Sequence, residues 1–152
     1  MIRPATFDDI NTIVLMGESL HRESPRWSRI NYNRAKVADM LARLITQSWG
    51  LLLVAEQEGE IIGGIAATAL PHWASDDILV EELSFFMKPE HRGSLAAARL
   101  ICCFKKWAEL KKGVWAHAGT STGVEPERTA KLYEKLGFTR CAIGLEVLIN
   151  GN

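Results

Sequence analysis

Three apolar runs follow one another between Trp49 and Pro89, and they limit the possible folds more than any other feature of the chain. The stretch "LLLVAEQEGEIIGGIAATAL" reads as two strands joined at Glu58–Gly59, a dipeptide suited to a tight hairpin turn. "PHWASDD" is a loop. "ILVEELSFFMK" is a third long strand, ended by Pro89 because proline has no N–H to give to a ladder.

On either side the period changes. Ile2 and Arg3 begin a short strand, and Thr6 stands three residues before Asp9 as in a capping box with Asp in place of Glu. Ile10, Ile13, Val14, Gly17 and Leu20 then recur at helical spacing. "HRESPRWSRINYN" breaks that period as a loop, and Val37, Met40, Leu41, Leu44 and Ile45 form the buried stripe of a second helix. After Pro89 a third helix runs to about Lys111, with Ala97, Leu100, Ile101, Phe104 and Ala108 on one face. "VWAHAG" is a strand, and "EPERTAKLYEKL" a helix stopped by Gly137 in the left-handed conformation. "FTRCAIGLEVLI" supplies the last strand material, as one bent or two short strands. The predicted order is β-α-α-β-β-β-α-β-α-β-β. That is an α/β chain with a central mixed sheet of six to seven strands and helices on both faces.

A length of 152 residues fits one domain over 1–152. Apolar residues at 47% and charged residues at 24% are the balance of a soluble globule. The 18 basic and 18 acidic residues cancel, which argues against a general nucleic-acid binder. "MIRPATFDDINTIV" lacks the pattern of a signal peptide, and charges or glycines interrupt every apolar run before a membrane-spanning length. Cys102 and Cys103 are adjacent and Cys141 is remote, so the cysteines form no disulfide framework, and we read a reduced, cytoplasmic protein. Cys102 and Cys103 fall on the third helix and are expected to be buried, structural thiols. His21, His72, His91, His117 and the cysteines show no metal-ligand spacing.

One stretch carries chemistry. In "PEHRGSLAAARLI" a strand gives way through Arg92–Gly93–Ser94 to a helix that starts with small residues. The first turn of a helix leaves N–H groups unpaired at its positive end, and a phosphate accepts from them where the backbone is accessible. Gly93, Ser94, Ala96 and Ala97 keep the approach open, and Arg92 adds a charge-assisted donor. The same composition also makes a plain helix start packed closely on a sheet. Local composition leaves both readings open.

"MKPEHRGSLAAARLI" resembles the acyl-CoA pyrophosphate-binding signature of the GNAT superfamily of N-acyltransferases, [Q/R]-x-x-G-x-[G/A]. Arg92 and Ala97 fill the outer slots, and Leu95 stands where glycine is usual. "ERTAKLYEKLGF" is similar to a second family element, a helix carrying A-x-x-[LF]-Y-E-K-x-G-F, and the element order matches from Ile2 to the C-terminus.

The resemblance implies transfer of an acetyl group from acetyl-CoA to a primary amine on a small molecule or peptide, by direct attack in a ternary complex and without a metal. It implies a backbone N–H on the thioester carbonyl within Phe86, Met87 and Lys88, with Met87 the single best choice. Arg92, Gly93, Ser94, Leu95, Ala96 and Ala97 would hold the cofactor. Tyr133 would protonate the departing thiolate, and Glu82 ahead of Glu81, or water alone, would serve as base, since neighbours on a strand face opposite sides and only one can point into the cleft. The loops offer Trp27, Arg29, Tyr32 and Trp73 to the acceptor. The "HAGTST" stretch would line the cleft, with Glu127 where asparagine is frequent in the family. A homodimer is a further expectation. A non-catalytic acyl-CoA-binding sensor or interaction domain is the alternative.

Overall fold

A computed structural model describes residues 1–151. The strands are β1 (Ile2–Pro4), β2 (Gly50–Gln57), β3 (Glu60–Pro71), β4 (Ile78–Met87) and β5 (Ala116–His117). The helices are α1 (Ile10–Glu23), α2 (Arg34–Thr46), α3 (Leu95–Leu110) and α4 (Pro126–Lys135). The strands lie in sequence order in one sheet, antiparallel from β1 to β4, with β5 added parallel to β4. The β2–β3 hairpin turns at Glu58 and Gly59 with φ of 52° and 79°, the paired left-handed residues of a two-residue hairpin turn.

Alternation along the strands sends side chains into two cores. Ile65, Ala67 and Ala69 of β3 pack under α3, against Ala97, Leu100, Phe104 and Ala108. Ala66 of β3 joins Leu52 and Val54 of β2 beneath α1 and α2, against Ile13, Val14, Leu41 and Leu44. The apolar stripe read from the third helix is the buried face of α3.

β4 is irregular. Ser84 pairs with Ala66 and Glu82 with Ala67, so Leu83 is an extra residue bulged out of the ladder. The bulge reverses the parity of the strand. Val80 packs under α3 while Phe86, an even number of residues on, packs under α1 and α2. β5 pairs only with Val80 and Glu81, so beyond the bulge β4 has β3 on one side and an open edge on the other.

Three expectations are corrected. The sheet has five strands, not six or seven, because 139–148 forms no regular structure and lies outside it. Cys141, Ile143, Leu145 and Val147 have the period of a strand, but β5 is regular for only two residues and offers no ladder to extend. The loop predicted from His21 starts later. α1 continues to Glu23, and Ser24 still gives its N–H to Leu20 before Pro25. Cys102 is exposed and Cys103 partly so, since α3 buries only the stripe facing the sheet. Among the described residues no helix is long and apolar enough to cross a membrane.

Candidate active site

The open edge of β4 faces a cavity of about 580 Å³ whose walls come from α1, α2, β4, the 119–125 loop, α4 and the loop before α3. Lys88 gives its N–H to Ile62 of β3, at 2.9 Å. Alternation then turns the Phe86 N–H toward β3 and the Met87 N–H toward the open edge. Lys88 is consumed twice, because its ammonium also pairs with Glu60 outside the cavity. Phe86 and Met87 line the cavity, as do Arg92, Gly93 and Ala97, while Lys88, Ser94, Leu95 and Ala96 do not.

Glu82 opens on this cavity, whereas Glu81 lines a second groove and meets His117 Nδ1 at 2.8 Å. The phenol of Tyr133 donates to Glu82 Oε2 at 2.7 Å. Desolvation pushes the Glu82 carboxyl up to about 7, against the opposing pull of the Tyr133 hydroxyl, the Gly119 N–H and the charge of His117. Burial also raises the Tyr133 phenol, and the neighbouring Glu82 carboxylate raises it further. Tyr133 is itself buried, edge-on to Phe85 and Phe138, and it reaches the cavity through Glu82.

The loop before α3 has the form of an open cradle, and its arginine is already engaged. Gly93 has φ of +72°, and Ser94 caps α3 by accepting the Ala97 N–H at 3.4 Å. Leu95, in the glycine slot, is largely exposed and stays off the cavity wall, so its side chain leaves the cradle open. Arg92 is held by both carboxylate oxygens of Glu23, each at 2.6 Å, with Glu125 3.8 Å away.

A second guanidinium lies against the loop. Arg128 donates to the Arg92 carbonyl at 2.7 Å, and a Cβ added at Gly93 would fall 2.5 Å from its Nη2. Sequence reasoning missed Arg128. A signal existed, since a cation in the first turn of α4 opposes the helix dipole and so needs another reason to be there.

Trp27 and Tyr32 also line the cavity. Tyr32 donates to the Val14 carbonyl at 2.8 Å, and the Arg26 guanidinium covers the Trp27 ring at 4.8 Å. Ser24, fully buried and also missed, donates to the Thr122 carbonyl and accepts the Trp27 N–H at 2.9 Å. One hydroxyl thus ties the loop after α1 to the loop before α4. Arg29 and Trp73 lie off the cavity, Trp73 being 92% exposed beside His72.

Residues 48–140, more than half of the chain, match the family model of the acetyltransferase (GNAT) domain. No curated protein sequence matches. Among solved structures, the chain is similar to AAC(6')-Iy in complex with the bisubstrate analogue CoA-S-monomethyl-acetylneamine, at 16% identity and a TM-score of 0.78, covering 99% of this chain and 97% of that one. A predicted acetyltransferase from Clostridium acetobutylicum, with acetyl-CoA, is 16% identical at a TM-score of 0.74, covering 97% and 95%. A ribosomal-protein-alanine N-acetyltransferase from Brucella melitensis biovar Abortus 2308 is 19% identical at 0.73, covering 100% and 98%. At these identities the likeness is one of fold. The family model, which spans the open edge of β4, the Arg92–Ala97 loop and Tyr133, decides the assignment: the chain belongs to the GNAT acetyltransferase family.

Proposed function

We propose that the chain is a single N-acetyltransferase domain over 1–152 that moves an acetyl group from acetyl-CoA to a primary amine, by direct attack within a ternary complex. The observation carrying this reading is the Tyr133–Glu82 hydrogen bond of 2.7 Å beside the open edge of β4. It sets a base and an acid in series.

Glu82 takes one proton from the acceptor ammonium, and a second leaves the nitrogen for solvent only after the C–N bond has formed. The neutral amine forms the C–N bond as the C–S bond opens, while the Met87 N–H steadies the charge on the carbonyl oxygen. Once protonated, Glu82 no longer holds the phenol as a carboxylate does. Tyr133 turns its proton to the departing sulfur and is refilled from Glu82. The base therefore acts before the acid.

The Arg92–Ala97 loop receives the pyrophosphate, with Arg128 as the guanidinium already seated over Gly93 and Arg92 available on release from Glu23. Trp27 and Tyr32 form the acceptor side, where a small molecule or a peptide end brings the amine. Arg29 and Trp73 have no part in this reading. The setting is cytoplasmic and reducing, in keeping with three free thiols.

The test pairs calorimetric titration of acetyl-CoA with thiol release across a panel of amines. Saturable binding together with amine-dependent release supports the transferase. Binding with no release on any amine makes the chain a sensor, and no binding removes both readings.

A further inference from the structure

The cavity spans both faces of the sheet, and its two halves differ in chemistry. On one face it meets Ala97 and Leu132, which pack in the core beneath α3. Every lysine and arginine on its wall comes from that half: Arg92 from the loop before α3, and Arg128, Lys131 and Lys135 from α4. On the other face it meets Leu20, Tyr32, Val37 and Leu41, which pack in the core beneath α1 and α2. Gly17 adds bare backbone beside them, and a Cβ there would fall 2.7 Å from the Tyr32 hydroxyl. That hydroxyl has spent its one donor on the Val14 carbonyl, so Tyr32 adds ring rather than a free donor to this wall.

Among the described residues, α1 and α2 give the cavity no carboxylate. Their acidic residues are turned elsewhere: Glu18 pairs with Arg34 at 2.6 Å, Asp39 with Arg43 at 3.1 Å, and Glu23 with Arg92 at 2.6 Å. The one polar side chain they place on the wall is His21, whose Nε2 gives its proton to the Ile30 carbonyl at 2.7 Å. Two carboxylates do line the cavity. Glu125 pairs with Arg128 at 2.9 Å and lies 3.8 Å from Arg92, which leaves Glu82 without a lysine or arginine partner. Arg26 already covers the Trp27 ring at 4.8 Å, so one face of that aromatic is taken by a cation. An ammonium brought out of water with no anion to meet it is strongly disfavoured. The cavity thus matches one positive charge, at Glu82, and apolar surface beyond it.

We propose that the acceptor is a primary amine on an apolar body, alkyl or aryl, with no second positive charge. This rests on the acetyl-transfer reading above, and it sets the amine at Glu82 and the body against Leu20, Tyr32 and Val37. Polyamines and amino sugars with several ammonium groups would leave all but one of them unpaired, facing apolar side chains on one half of the cavity and four cations on the other.

The test is steady-state thiol release from acetyl-CoA with 2-phenylethylamine and hexylamine against spermidine and kanamycin, for the full chain, Leu20→Ala and Val37→Asp. The two monoamines should exceed the two polycations in kcat/KM by roughly 30-fold or more. Leu20→Ala should raise KM for 2-phenylethylamine about tenfold with kcat held, because the lost contact is the same in ground and transition states. Val37→Asp puts a carboxylate on the apolar wall and should move the preference toward spermidine, again by about tenfold. Calorimetric binding of acetyl-CoA by each variant shows that it is folded. A wild-type preference for spermidine or kanamycin would overturn this inference and leave the acetyl-transfer reading standing. So would an unmoved KM in Leu20→Ala together with an unmoved preference in Val37→Asp. Release on no amine at all would overturn the acetyl-transfer reading, and this one with it.

Discussion

Tyr133 and Glu82 share one proton-bearing contact, and this dictates an order of events at the residue scale. A phenol raised by burial and held by a carboxylate is a poor acid until that carboxylate is neutralised. Tyr133→Phe should therefore lower kcat by roughly 100-fold while leaving the calorimetric affinity for acetyl-CoA almost unchanged. Unaltered turnover would mean that the sulfur gains its proton elsewhere. The motif "LYEKLGF" pointed to Tyr133 from sequence, and strand parity allowed only one of Glu81 and Glu82 to face the cleft, with Glu82 preferred. The cavity separates them, because the bulge at Leu83 and the two-residue pairing of β5 set their surroundings, and neither leaves a mark in local composition. Ser24, and the partner of Arg128 beyond its signal in the first turn of α4, were illegible for the same reason. Their roles come from contacts across 98 and 36 residues of chain.

At the scale of elements, the junction of β1, β2 and α1 shows a local signal that folding strengthens. Thr6 and Asp9 close the expected capping box, and Asp9 also takes two donors from Arg3, at 2.7 and 3.0 Å, while Arg3 reaches Glu56 of β2. Hydrogen bonds from Arg3 outweigh desolvation and hold the Asp9 carboxyl down at about 2, from 3.8. A depressed carboxyl contributes stability that is fully present above its unfolded value and is lost as pH falls through the folded one. Asp9→Asn should thus cost about 2 kcal/mol in urea unfolding at pH 7 and almost nothing near pH 2. A loss that is equal at both pH values would assign the effect to packing. Periodicity made the helices and the hairpin readable, because their partners are local or their stripes are long. It misjudged the 139–148 segment, where the strand period is real and the ladder is absent.

Across the whole molecule, one irregular strand organises the function. The bulge reverses β4 between its two cores, β5 stops after two residues, and the resulting split places the Met87 N–H, Glu82 and the Arg92–Ala97 loop along one cavity. The fold was largely legible, since two motifs in the right order imply a topology that the strand and helix periods also support. The placing of Trp27 and Tyr32 on the cavity was less so, because they are held by α1 and by the 119–125 loop rather than by their own sequence. The most direct measurement is the pH dependence of kcat/KM for thiol release, taken as the ratio of wild type to Glu82→Gln, in which the acceptor's own titration cancels. Glu82 must be ionised to act as base, so the ratio should stand at a high plateau above about 7 and fall as pH drops through that value. A ratio that stays flat across that range, or lies near one throughout, would contradict the account.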